Sequence, residues 1–379
     1  MELAGLSYSE EQIELLDVAT NFCRDKAPML SVRALMDSAM GYDADIWAQM
    51  AALGWMAIAV PADYDGVGLT LAEVVPVVEQ MGRNMLASPF IVTTVAAQAI
   101  AKGGTADQRQ AYLPVLAGGG VGTLALYGAD GNWDLSQISA TATITDDRLI
   151  LSGQKHFVQW AQHADVFILS VMLDGRPALV VAQKSDIPET ALRREQIIDE
   201  TRRSFALNLD GISLPRTALM DGLNAAETLR QIELDYTLLQ CAEMCGGTQS
   251  VIDYTLDYLR TRKQFGNVIG AYQALKHPIV NAYVDYEKLR SHVYSAACSH
   301  GQPRRDNQKH QGEIAIRMAK AAADCAYSHA ADRAVQFHGG FGFTHDCDAG
   351  LHRRAAIFQS SQFGDAAWQR AKLADLLLG

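Results

Sequence analysis

Leu259-Arg-Thr-Arg-Lys-Gln-Phe265-Gly-Asn-Val-Ile-Gly270-Ala-Tyr-Gln273-Ala-Leu-Lys-His277 is the stretch on which the reading of this chain turns. One long helical pattern runs into it and another runs out, and Gly266 and Gly270 mark a break between them. Three groups at this corner suit a long, doubly charged ligand. Arg262 can pair with a pyrophosphate through its planar fork. Phe265 offers a flat apolar face to an aromatic ring system. Gln273 brings a donor and an acceptor to the mouth of the second helix. On these residues alone, an ordinary helix hairpin with solvated Arg and Lys is the plain alternative.

Outward from the corner, composition narrows the class. At 379 residues, two or three domains sharing a large core are expected. A hydrophobic fraction of 49% with 20% charged residues suits a soluble globular protein. No apolar run of roughly 18 residues predicts a membrane helix. The opening residues Met1–Glu11 lack the basic start and apolar centre of a signal peptide, so a cytoplasmic enzyme is expected. A net charge of −11 argues against nucleic acid as a partner. It leaves room for an anionic cofactor, because Arg260, Arg262 and Lys263 make a local basic patch. Six cysteines without C-x-x-C pairs predict reduced, mostly buried thiols.

Residues 1–118 read as helical. Ser9 opens a pattern with Ile13, Leu16, Val18 and Phe22 as its apolar positions, and Trp47, Met50 and Leu53 continue at helix spacing to Gly54. A turn-rich connector through Pro61, Tyr64, Asp65, Gly66 and Gly68 precedes the helix carrying Glu79, Gly82 and Arg83. Residues 119–225 change character. Short β-branched runs occur at 123–127, 140–145, 148–152, 166–171 and 178–182, with Asp146-Asp147 as a hairpin turn, which predicts a small β-domain, sandwich or barrel. Residues 226–379 are helical again, with Leu238, Cys241, Cys245, Ile252 and Leu259 on one stripe. The chain is therefore expected to be α+β, in the order helical, β, helical.

Gln336-x-x-Gly339-Gly340-x-Gly342 leaves bare backbone where a helix ends, and glycine lets a ligand approach the amides closely. Alone, such a cluster is more often a helix stop. Tyr236, Gln240, Glu243, Gly247 and Ser250 form a polar stripe on the preceding long helix, and Gly246-Gly247 would leave space beside the Glu243 carboxylate. His338, His345 and His352 recur every seven residues, but the glycines between them break the helix and no metal-ligand spacing is met, so no metal is expected.

Arg262-x-x-Phe265-Gly266-x-x-Ile269-x-x-x-Gln273 resembles the flavin-contact signature of the acyl-CoA dehydrogenase family. Gly54-Trp55…Pro61…Tyr64-Asp65-Gly66-Val-Gly68-Leu69…Gly82-Arg83 is similar to that family's N-terminal run, with Asp65 in place of the first glycine of a pair. The segment Leu151–Gln159 resembles its lnGxKxWIT segment. The resemblance implies an N-terminal helical domain, a small central β-domain and a C-terminal four-helix-bundle domain. It implies FAD, removal of an α-proton and a β-hydride from an acyl-CoA thioester, and an electron-transfer flavoprotein as acceptor. Arg262, Phe265 and Gln273 would hold the ADP half of an FAD bound mainly to a neighbouring subunit, with Gln336, Gly339 and Gly340 as a second clamp.

The chain also departs from the family pattern. Phe157 and Gln159 stand where a flavin-packing Trp and a Thr are usual, and Tyr127-Gly128 where a Thr-Glu-Pro run is usual. The two places where the family keeps its base, a Glu, hold Phe363 and Tyr236. Glu243, seven residues after Tyr236 and on nearly the same helix face, is the replacement candidate. Asp365 is the runner-up, better read as the N-cap of the last helix. Three readings stand: a self-sufficient homodimer or homotetramer using Glu243; a subunit of a heterotetramer with a related chain, since the intact elements serve a neighbour's flavin and the altered ones its own; and a scaffold of the same fold without flavin. The acyl chain stays open.

Overall fold

A computed structural model describes residues 9–221, 224–300 and 310–378. The stretch 1–8, read above for a leader, lies outside the described residues. Elements follow the expected order of helices, strands and helices, an α+β fold. None of the described helices is long and apolar enough to cross a membrane. The chain divides into two compact units.

The first unit comprises Met1–Arg33, Leu71–Leu86 and Thr237–Gly379. It contains α1 (Glu10–Lys26), α4 (Leu71–Arg83), most of α7 (Ala225–Thr261), α8 (Gln273–His300), α9 (Gln311–Phe337), α10 (Asp348–Ser360) and α11 (Ala366–Leu378). α8 packs on α9, and α9 packs on α10 and α11. α1 starts at a reciprocal cap: Gln12 N donates to the Ser9 hydroxyl and Ser9 N to the Gln12 side-chain Oε1, each at 3.1 Å. The Gln12 amide also donates to the Ala72 carbonyl at 3.1 Å. Pro76 has no N–H to give that carbonyl four residues back, so Gln12 fills a gap the proline makes in α4. This sets the face of α1. Gln12, Ala19 and Cys23 are buried, while Ile13 and Val18, two of the apolar positions of its pattern, are 48% and 44% exposed.

A second expectation is corrected where α4 meets α7. A Cβ on Gly82 would run into the Glu243 carbonyl, and one on Gly246 into the Glu79 carbonyl. A Cβ on Gly247 would stand 2.7 Å from the Tyr327 ring. These glycines let the α4 backbone and the Tyr327 ring approach α7 closely, and they open no space beside Glu243. Beneath the crossing, buried Glu79 accepts from Arg290 Nε at 2.9 Å and from the Tyr294 hydroxyl.

The second unit comprises Ala34–Thr70 and Ala87–Tyr236. Besides α3 (Ala44–Ala52), α5 (Phe90–Gly103) and α6 (Ala106–Ala117), it holds two sheets. α2 (Met29–Met36) runs into this unit from the first. The strands are β1 (Gly122–Ala125), β2 (Thr141–Thr145), β3 (Arg148–Ser152), β4 (Gln154–Gln159), β5 (Val166–Leu173), β6 (Arg176–Gln183), β7 (Leu192–Glu195), β8 (Ser204–Asn208) and β9 (Ser213–Pro215). The six-stranded sheet has the order β1-β5-β2-β3-β9 with β6 also paired to β5, and the three-stranded sheet has the order β4-β8-β7. β5 is the core of the six-stranded sheet, buried from Val166 to Val171. Asp146 and Asp147 turn β2 into β3 with φ of 46° and 61°, both central residues left-handed as a tight hairpin requires. Asp65, in the place of a glycine, also takes a positive φ of 62°, a conformation aspartate tolerates better than most side chains.

Candidate functional site

The corner after α7 is tighter than a helix break. Lys263–Gln264 (β10) pairs antiparallel with Asn267–Val268 (β11), so Phe265 and Gly266 form a two-residue turn with φ of 54° and 83°. A phenylalanine in a left-handed conformation costs about 1–2 kcal/mol. It is kept by Tyr272, whose hydroxyl donates to the Phe265 carbonyl at 3.1 Å and whose ring meets Phe265 edge-on. The strain places the Phe265 ring in the open, 90% exposed. Beside it the Arg262 side chain is exposed and takes no partner among the described residues. Gln273, also exposed, is the first residue of α8.

The glycine bend lies next to this corner. α9 ends at Phe337, and the following His338 donates from Nδ1 to the Ala334 carbonyl at 2.8 Å. Its ring stacks on Tyr254 and Tyr258 of α7, with centroids 4.7 and 4.3 Å away. Tyr258 sits one helical turn before Arg262, so the stack brings the bend beside the corner. Gly339 has φ 61°, and a Cβ on Gly339 or Gly340 would meet nothing within 4 Å. Gly342 differs: a Cβ there would strike the Val335 carbonyl, so this glycine serves packing. Gln336 is exposed on the last turn of α9. An unpaired guanidinium, an exposed aromatic face, two side-chain amides and open glycine backbone thus gather on one surface of the first unit. That donor set suits the phosphates and flat base of an anionic dinucleotide.

In the second unit, β4 carries Phe157 and Gln159. Its pairing with β8 shifts register between Lys155 and Val158, a bulge that leaves His156 and Phe157 off the ladder. Phe157 has φ 56°, and its ring meets Tyr127 edge-on at 6.4 Å. Gln159 is buried, and its amide donates to the Tyr236 hydroxyl at 2.6 Å. Sequence reasoning did not anticipate two neighbours. Lys155 is wholly buried, donating to Leu126 O at 3.0 Å and the Ser170 hydroxyl at 2.8 Å, and burial lowers its pKa to about 7. Glu195 gathers the His156 ring, the Phe157 N–H and the Ser204 hydroxyl. Lys155 is signalled by the GxK segment, whereas nothing in the polar strand Leu192-Arg-Arg-Glu195 marks its last residue.

Glu243 lies in the first unit, 8% exposed, and accepts from the Gln359 amide at 2.9 Å. The Gln359 carbonyl in turn accepts from buried Lys320 at 2.8 Å. Phe363 is buried with φ 53°, a third phenylalanine in the left-handed region. Asp365 caps α11, accepting from Trp368 N at 2.8 Å. His338 and His352 sit in separate surroundings; the latter bonds the Tyr327 hydroxyl at 2.9 Å, and burial lowers its pKa to about 4. No cluster of three or more metal-ligating side chains occurs among the described residues.

Helices flanking a β segment, with a basic–aromatic corner beside a glycine bend, set the class of fold and the surface to be compared. Comparison with known proteins specifies it. Residues 9–120 match the acyl-CoA dehydrogenase N-terminal domain, and residues 236–378 the acyl-CoA dehydrogenase C-terminal domain. Acyl-CoA dehydrogenase FadE12 of Mycobacterium tuberculosis is 30% identical over 322 residues, covering 80% of each chain. A Tcur3481–Tcur3483 steroid ACAD structure superposes with TM-score 0.85 at 26% identity, covering 97% of this chain and 98% of that one. The ChsE4–ChsE5 complex from Mycobacterium tuberculosis shares the fold, with TM-score 0.86 at 22% identity and 98% of both chains covered. The chain belongs to the acyl-CoA dehydrogenase family, flavoprotein oxidoreductases acting on acyl-CoA.

Proposed function

We propose that the chain is one subunit of a heteromeric, FAD-dependent acyl-CoA dehydrogenase that passes electrons to an electron-transfer flavoprotein. It supplies the grip on the ADP half of a flavin whose reactive ring is served mainly by a second, related chain. Arg262 would hold the pyrophosphate and Phe265 the aromatic base, with Gln273, Gln336 and the Gly339-Gly340 backbone as further contacts. In the second unit, Phe157 remains as a contact toward a flavin ring, while Gln159 is turned to Tyr236. When bound, the flavin supplies the hydride acceptor for α,β-dehydrogenation of the thioester. This chain's part is to bind, orient and exclude water. Residues 1–118, 119–225 and 226–379 act as its three domains, in the cytoplasm.

The observation that carries this reading is the hydrogen bond from Gln159 to Tyr236. It ties up two positions where a self-sufficient member of the family would keep a flavin-facing threonine and one of its two alternative bases. The clamp residues, by contrast, are all exposed and open. The steroid ACAD neighbour favours a thioester with a bulky or steroid side chain, and the ChsE4–ChsE5 neighbour favours heteromeric assembly.

A second reading, a homo-oligomer using Glu243 as base, is favoured by the shielding of that carboxylate and its orientation by Gln359. The packing of Gly246 and Gly247, which leaves no room for a ligand beside it, weighs the other way. Visible absorbance decides between them. Flavin retained only when the chain is co-expressed with a related acyl-CoA dehydrogenase subunit supports the first reading. Stoichiometric flavin and turnover in the chain alone support the second, and no flavin in either preparation leaves a scaffold. Bleaching by a panel of short, long, branched and steroid acyl-CoA esters then reads the substrate.

A further inference from the structure

We propose that Glu195 is the positioning residue of the flavin-facing edge of this chain, setting Phe157 and His156 through a three-way carboxylate clasp. The inference rests on the placement of Phe157 toward the flavin argued above.

At the bulge, His156 and Phe157 lose their ladder partners on β8. His156 N finds the Tyr127 carbonyl at 3.0 Å, and Phe157 N finds Glu195 Oε2 at 3.0 Å. The same Oε2 accepts from the Ser204 hydroxyl at 2.8 Å, and Ser204 is the residue paired with Glu195 across β7 and β8. Oε1 lies 2.8 Å from His156 Nδ1. Three donors on a carboxylate that is 11% exposed hold it in one rotamer.

A bulky side chain persists in the left-handed region only where its surroundings over-determine it, and at Phe157 the clasp does so. The ring is confined sideways as well. Tyr127 meets it edge-on, and a Cβ on Gly131 would stand 3.3 Å from its edge. Beside it, with Nδ1–H turned to Glu195, the second nitrogen of His156 is buried and has no partner among the described residues. An edge with a strained aromatic ring and a buried orphan nitrogen, both oriented by one carboxylate, is built to be completed by a bound molecule.

The test is Glu195→Gln, assayed in the complex with the co-expressed subunit. The amide keeps the shape but cannot accept from all three donors. FAD affinity by fluorescence titration should weaken about tenfold, and the visible circular dichroism of bound flavin should change, while far-ultraviolet dichroism stays constant. Glu195→Asp, which keeps the charge and shortens the reach, should shift both readouts in the same direction, and it serves if the glutamine variant does not fold. Affinity within about twofold of wild type and unchanged flavin dichroism, even with a lowered melting temperature, would overturn the proposal and reduce Glu195 to a structural role. A wild-type complex that binds no flavin would overturn this inference together with the reading it rests on; a wild type that binds, with unmoved variants, overturns this one alone.

Discussion

Gln159 and Tyr236 hold each other: the amide of one donates to the hydroxyl of the other across 2.6 Å, and both side chains are buried. They lie 77 positions apart in the chain and are both departures from the family pattern. The structure makes them one unit, so neither is a lone substitution.

Tyr236→Phe should therefore strand a buried amide donor and destabilise the fold by about 1–3 kcal/mol. Adding Gln159→Leu removes the stranded donor, and the double variant should be more stable than the sum of the two singles by about 1 kcal/mol or more. Urea unfolding of the four proteins measures this. Simple additivity would mean the bond contributes nothing.

Glu243→Gln separates the two functional readings. In the subunit reading, turnover of the assembled enzyme stays within a few-fold of wild type and only stability falls, because Gln359 loses a charged acceptor. In the self-sufficient reading, flavin is retained and its reduction by acyl-CoA is abolished. Stopped-flow bleaching distinguishes them.

Gly246→Ala should be among the most damaging small changes in the chain, because the new methyl meets the Glu79 carbonyl and α4 cannot recede without breaking its own packing. Overpacking of this kind costs about 3 kcal/mol. A melting temperature close to wild type would contradict the close crossing of α4 and α7.

Lys155 makes stability depend on pH. Its folded pKa of about 7 lies below the ordinary lysine value of 10.5, so between those values the unfolded chain binds more protons than the folded one. Stability from this group therefore rises as pH goes from 7 toward 10 and is lost as pH falls toward 7. Urea midpoints at pH 7 and pH 9 should show this rise in wild type. Lys155→Met should lose that part of it. An unchanged slope would mean that the buried amine is not what titrates.

Residue chemistry explains what the sequence discloses and what it hides. Arg262, Phe265 and Gln273 announce a cofactor corner by type and spacing, but the left-handed turn that lifts Phe265 into the open depends on Tyr272 folding back over it. Asp146-Asp147 reads as a hairpin, and Asp174-Gly175, which joins β5 to β6 with φ of 49° and 74°, obeys the same rule. β7 carries too few β-branched residues to be read as a strand. A glycine pair looks the same whether it makes room for a ligand or for another backbone; at Gly246-Gly247 only α4 and Tyr327 decide. On α1, Pro76 of a distant helix recruits Gln12 to the interior and turns Ile13 outward. Phe157, Phe265 and Phe363 share a strained φ that no composition reveals.

The most direct measurement is FAD binding by the assembled enzyme carrying Arg262→Ala in this chain alone. Loss of a paired guanidinium from a desolvated pyrophosphate should weaken binding by about tenfold to a hundredfold, with the fold and assembly intact. Wild-type affinity in that variant would contradict the claim that this corner grips a flavin shared with a second chain.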